Sequence, residues 1–303
     1  MPDSSTLPAP SAAHKVSGRA AEAAAAARGG APTRHRLQAK AGWAALDLRE
    51  LWAYRELLAF QAIRDIKVRY QQTLLGAAWA VLQPVTQMVV FSVFFGRLLN
   101  VGSDGVPYPV FAYCALLPWQ LFAFALTQSS NSLVDNSHLI TKVYFPRLIV
   151  PLASVIAGMV DFCISFVVLL GLMFWYGITP TWAVVTLPLF VLLAVGAALA
   201  AGLWLSALNV QYRDIRYTLP FLTQIIFFLT PIVYPSSRIP EAYRWIAGLN
   251  PLAGVVEGFR WALLGNVRPP GPMLAVSIGV TALLLIGGLF YFRRMERGFA
   301  DVV

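Results

Sequence analysis

Charge is scarce in this sequence. Asp, Glu, Lys and Arg supply 12% of its 303 residues, against about 25% in a soluble domain. A chain with so little charge cannot clothe a water-facing surface along its whole length. Histidine and cysteine are rarer still. His14 and His35 fall in the N-terminal stretch and His138 stands alone, so no metal or nucleophile constellation can be assembled. Cys114 and Cys163 are too few for a disulfide framework, and both lie in apolar runs, where they read as small buried residues. None of Lys15, Lys40, Lys67 or Lys142 closes a glycine-rich phosphate loop, so the chain shows no ATP site and no cofactor site. The missing catalytic cluster argues against a membrane enzyme.

Apolar sequence fills the space. The chain is 58% hydrophobic, and its charge-free runs of about 20 residues are long enough to cross a bilayer as helices. The fold class expected is an all-α polytopic membrane protein of six transmembrane helices, over roughly 75–99, 109–133, 149–176, 181–208, 217–234 and 273–292. Prolines 84, 118, 151, 188, 220 and 231 fall in or near these spans, which membrane helices tolerate.

Four segments are expected. Residues 1–46, rich in Ala, Pro, Ser and Arg, lack a strongly apolar run after a basic start, so they read as a disordered tail rather than a cleaved signal peptide. Residues 47–74 read as an amphipathic interface and cytoplasmic gate segment, or alternatively a packed cytosolic helix, capped by Asp47 with Glu50 three positions on and carrying Leu48, Leu51, Trp52, Leu58, Ile63 and Ile66 at helical spacing. Residues 75–297 form the transmembrane domain, and 298–303 a C-terminal tail.

Lys and Arg set the orientation. With a cytoplasmic N-terminus, 18 of the 23 basic residues lie inside and Arg97, Arg238, Arg244, Arg260 and Arg268 outside, which puts both termini in the cytoplasm. Topology accounts for the net charge of +9, and nucleic acid need not be invoked. Arg64, Asp65, Lys67 and Arg69 then sit at the headgroup level, with no further charge until Arg97. A charge at the bilayer centre costs about 3 kcal/mol on insertion scales.

Asp161, in "GMVDFCISF", is the one acidic residue within a span. An ion-coupled transporter usually shows several such groups, often with a basic partner. None is evident in any span for Asp161, which is expected to be held by polar groups such as Ser165, Thr223 or Gln224. A coupling-ion or substrate role stays open.

Four stretches carry a resemblance. "RDIKVRYQQTLLGAAWAVLQP", "NSLVDNSHLITKVYFPRLIVPLASV", "NVQYRDIRYTLPFLTQIIFFLTPIVYP" and "LNPLAGVVEGFRWALLG" resemble, in order and spacing, the ABC-2 type permeases that export O-antigen, teichoic acid and capsule polysaccharides. The likeness runs from about Ala53 to Arg297, and the long N-terminal extension departs from the family pattern. It implies a homodimer in the inner membrane with two copies of a separate ABC ATPase subunit, which would bind the ATP and Mg. It also implies export of a glycan linked to undecaprenyl diphosphate. The 235–272 segment then looks like a re-entrant pair of gate helices on the outer side, with starts near Pro240 and Pro251.

Within that resemblance, three groups of residues take on candidate roles. Aromatic residues at helical spacing suit sugar C–H faces while allowing sliding: Phe91 and Phe95, Trp119 and Phe122, then Phe227, Phe228 and Tyr234. The same rings also suit ordinary helix packing or lipid contact. Arg64, Lys67 and Arg69 are either a topological anchor or a contact for the lipid diphosphate, to which a planar fork of donors is better matched than an ammonium. Asp135, His138, Leu139 and Lys142, in the loop 134–146, are candidates for docking into a groove of the ATPase subunit. Two rival functions remain: an ABC-2 exporter of a small hydrophobic compound, and a gradient-driven transporter, for which no inverted repeat is visible.

Overall fold

The computed structural model describes residues 48–71, 76–265 and 269–299. The tail over 1–46, the Asp47 cap, the expected start of the first span at 75, Arg268 and most of the 298–303 tail lie outside the described residues. Every regular element described is helical.

Helices α1 (Leu48–Ala53) and α2 (Arg55–Gln71) come first. Gln61 and Ala62 of α2 are buried, while Trp52, Phe60, Ile63 and Val68 point outward. Charged residues interleaved with outward apolar side chains suit a helix lying in a membrane interface.

Helix α3 (Ala78–Phe91) continues into a π-helical stretch, Ser92–Leu98. Pro84 lies inside α3 and removes one backbone donor. Helix α4 (Tyr108–Asp135) is the axis of the fold: most of its residues are buried, whereas few of those over Ala78–Leu98 are. After the short α5 (Ser137–Lys142), α6 (Ile149–Trp175) and α7 (Leu187–Gln211) pack along α4. The α4–α7 seam is drawn tight by Gly202, where a Cβ would come within 2.0 Å of Ser129 Oγ. It is latched by Asn209, which donates to the Ser130 carbonyl at 3.0 Å and to Asn131 Oδ1 at 3.1 Å. Cys114 is buried in α4 as expected, but Cys163 is exposed. It shares the outward face of α6 with Val167, Leu170 and Phe174, positions that the helical period places together.

Helix α8 (Ile215–Leu229) is shorter than the expected span over 217–234. Its 15 residues reach about 22 Å, against about 30 Å of hydrocarbon. Thr230 is already extended (ψ 134°), as the ring of a following proline favours, and the chain turns over Thr230–Tyr234. Helices α9 (Arg244–Ala247) and α10 (Pro251–Leu264) follow, the latter capped by the Asn250 side chain accepting from Leu252 N–H at 3.1 Å. Helix α10 is enclosed by α4, α7 and α11 (Gly271–Met295). It passes so close to α7 that a Cβ on Gly258 would lie 2.2 Å from Phe190 Cε1.

Among the described residues, five helical segments are long and apolar enough to cross a membrane: Ala78–Leu98, Tyr108–Asp135, Ile149–Trp175, Trp182–Gln211 and Gly271–Glu296. Four lie close to expected boundaries; the third begins at the expected residue.

Candidate functional site

Two of the three basic residues singled out on α2 share a cavity. It measures about 580 Å³ and is lined by Arg64 and Arg69 from α2, Phe124, Gln128 and Ser132 from α4, and Ser154 from α6, among others. Five positions apart, the two arginines stand about 140° from each other around α2, so it is their long side chains that bring both into the lining. Lys67 is exposed and outside the lining.

Both arginines are already engaged. Arg64 Nη2 donates to Asp65 Oδ1 and to Asn136 Oδ1, each at 2.8 Å. Arg69 Nη2 lies 2.5 Å from Asp161 Oδ2, and its guanidinium carbon stands 4.1 Å from the Phe124 ring centre. Tyr70 O–H donates to Asp161 Oδ1. Burial, and then the bond to Asp161, push the Tyr70 phenol up to about 12, so it stays a proton donor at neutral pH. Asp161 therefore has a basic partner, and it comes from α2 rather than from a span, where none was expected. Ser165, one of its expected partners, instead donates to the Ala80 carbonyl at 2.7 Å.

The second candidate group lies where α4 ends. Asn136 leaves helical geometry (φ −107°, ψ 23°), and α5 starts in a new direction. His138 and Lys142 are exposed, as are Val143 and Tyr144 just beyond, while Leu139 is half-buried and Ile140 buried. Asp135 pairs with Arg216 at 2.5 Å, at the start of α8. Together with the Arg64–Asn136 bond, this ties α2, the α4–α5 corner and α8 to one another.

Six of the seven candidate aromatics form a continuous row of ring contacts. Phe91 meets Phe95 at 5.8 Å between ring centres and Phe227 at 5.9 Å. Phe227 meets Trp119 at 5.2 Å and Phe228 at 5.6 Å, and Trp119 meets Phe122 at 5.8 Å. Trp119 and Phe122 are buried, whereas Phe228 is 67% exposed, so the row runs from the core to an open face. Tyr234 stands apart, after the end of α8, with its carbonyl 3.5 Å from the Arg260 guanidinium.

Arg260, counted from the sequence only as one of the charges on the outer side, was not singled out there as a buried group. It is fully buried. Its Nη1 and Nη2 donate to the carbonyls of Pro231 and Ile232, both at 2.7 Å, and its carbon sits 3.6 Å from the Phe111 ring centre. Glu257, 4% exposed, lies 3.8 Å from it and accepts from Ser236 O–H at 2.5 Å. The signal was present in "VVEGFRWALL": Glu and Arg three apart on an otherwise apolar helix, where charges persist only with partners.

A helical protein with several apolar helices of membrane-crossing length, a polar cavity beside α2 and a row of rings between its helices has the organisation of a membrane transporter. The chain belongs to the ABC-2 type transporter family, whose model matches residues 58–264. It is 30% identical over 259 residues to the O-antigen export system permease protein RfbA of Myxococcus xanthus, covering 84% of this chain and 98% of that protein. It is also 30% identical over 249 residues to RfbA of Klebsiella pneumoniae, covering 82% and 95%. Identity to the polysialic acid transport protein KpsM of Escherichia coli is 26% over 243 residues, covering 77% and 91%.

Proposed function

We propose that this chain is the permease subunit of an ATP-driven ABC transporter that exports lipid-linked polysaccharide of the O-antigen type across the inner membrane. It works as a homodimer with two copies of an ABC ATPase subunit, which bind the ATP and Mg. The observation that carries this reading is the row of six rings spanning α3, its π-helical extension, α4 and α8. Stacking on sugar faces is weak per contact and tolerant of register, so a long glycan can slide along such a row. The similarity to two O-antigen permeases over most of the chain points to the same cargo.

In this reading α8 is a sixth, short crossing, and α9 with α10 are a re-entrant outer gate whose backbone is covered by neighbouring helices. Both termini are cytoplasmic, as the distribution of Lys and Arg favours. The Arg64–Arg69 cavity then lies at the inner leaflet, where the diphosphate of an undecaprenyl carrier arrives, with Lys67 near it. Asp135, His138, Leu139 and Lys142 meet the ATPase subunit, and the Asp135–Arg216 pair links that corner to α8.

The test is reconstitution. The permease with its ATPase subunit, in vesicles, should move a glycan on undecaprenyl diphosphate only when ATP is hydrolysed, and the purified permease alone should hydrolyse none. Movement driven by an ion gradient without ATP would overturn the reading, as would transport of small hydrophobic dyes in place of the glycan.

A further inference from the structure

Helix α3 is apolar on most of its surface but not on one face. Trp79, Gln83, Thr86 and Gln87 recur at helical spacing and line, with Leu82, a pocket of about 300 Å³. Trp79 is 53% exposed. Gln83 and Thr86 are exposed too, and neither side chain hydrogen-bonds another described residue. Gln87 is half-buried, its Oε1 accepting from Gln120 Nε2 of α4 at 3.1 Å, so its own amide N–H groups are left to point elsewhere.

Lipid is the wrong neighbour for this face. Gln87 lies near the middle of the Ala78–Leu98 span, and an amide or hydroxyl that faces hydrocarbon without a partner forfeits the hydrogen bonds water would give it. The face therefore meets water, a hydroxylated molecule or polar groups of a second copy of the chain. Its chemistry selects between ligands. It offers one broad aromatic plane, two amides and a hydroxyl, and no charged side chain. A neutral pyranose presents the complement: an apolar C–H face for the indole and a rim of hydroxyls for the amides. Positions 79, 83, 87 and 91 follow one another at four-residue steps, so the pocket leads along α3 to Phe91, the first ring of the row.

We infer that Trp79, Gln83, Thr86 and Gln87 form a saccharide subsite that holds an uncharged sugar unit of the exported chain. The indole stacks on the sugar face, the amides bond its hydroxyls, and the absence of charge gives an acidic sugar no counter-ion. This inference rests on the proposed function and adds a specificity-determining site to it.

The experiment uses the permease–ATPase complex in lipid nanodiscs and three synthetic probes: undecaprenyl diphosphate bearing one neutral hexose, one hexuronic acid, or no sugar. The hexose probe should bind about tenfold more tightly than the sugar-free lipid, the scale of one aromatic contact with a hydrogen bond. The hexuronic acid probe should gain less. Trp79→Ala and Gln83→Leu should each erase most of that gain, and Trp79→Phe should keep most of it, with binding of the sugar-free lipid unchanged throughout. Equal binding of all three probes by the wild-type complex overturns the subsite while leaving the carrier reading intact. Gain retained in both Trp79→Ala and Gln83→Leu overturns it as well. Loss of the dimer in Gln83→Leu, read by mass in the nanodisc, assigns the face to a second copy of this chain instead. If none of the three lipids binds, the proposed function fails, and the subsite falls with it.

Discussion

Replacing Arg260 by Met should be among the most damaging single changes in this protein. The guanidinium donates to the carbonyls of Pro231 and Ile232 at 2.7 Å, approaches that of Tyr234 at 3.5 Å, and is the neighbouring cation of the buried Glu257. Met fills much of the same volume but supplies no donor and no charge. Removing one partner of a buried ion pair costs about 3–5 kcal/mol, and each orphaned buried carbonyl adds about 1–3 kcal/mol. Glu257→Gln should cost less, because Arg260 keeps its carbonyl acceptors and Ser236 keeps a partner. The double substitution removes the stranded carboxylate, so it should be less destabilised than the sum of the singles, with a coupling of about 2 kcal/mol or more. Arg260→Lys should fall between wild type and Met, since an ammonium cannot span two carbonyls as a planar fork does. Reversible unfolding in mixed micelles, followed by tryptophan fluorescence, measures all four. If Arg260→Met lies within about 1 kcal/mol of wild type, or if the two sites add without coupling, the cradle is not what holds the chain after α8.

Other substitutions probe the remaining contacts. Arg64→Lys and Arg69→Lys should each lower binding of undecaprenyl diphosphate by about tenfold in correctly inserted, ATPase-bound protein; full binding and export in both would make the pair a topological anchor only. Leu139→Asp with Lys142→Glu should uncouple export from ATP hydrolysis while membrane insertion stays intact, and unchanged export would remove α5 from the ATPase contact. Gly258→Val should destabilise by about 3 kcal/mol or more, because its first carbon would meet the Phe190 ring at 2.2 Å. Adding Phe190→Ala should recover part of that loss in the same unfolding assay.

The class of this protein was legible residue by residue. A bilayer obliges each crossing segment to satisfy its backbone within its own helix, so a run of apolar residues announces a span without reference to the rest of the chain. That is why Ile149–Trp175 begins at the residue where hydropathy placed it. The motifs that carry the family resemblance are likewise contiguous stretches. The end of α8 at Leu229 shows where this locality stops: the apolar run continues, but the helix does not, and Arg260, 29 positions beyond Pro231, takes that residue's carbonyl.

Partnerships between side chains were decided only by packing. Arg69 finds Asp161 because α2 lies against α6, and nothing near either residue in sequence signals the other. Arg64 and Arg69 share a cavity from which Lys67, lying between them, is turned away. The aromatic pattern proposed seven rings, and the mutual rotation of α3, α4 and α8 joined six while leaving Tyr234 beside Arg260. Hydropathy fixes how deep a helix sits. Which of its faces meets a neighbour, a ligand or lipid depends on the helix's rotation about its own axis, and that is set by the side chains of other helices far away in the chain.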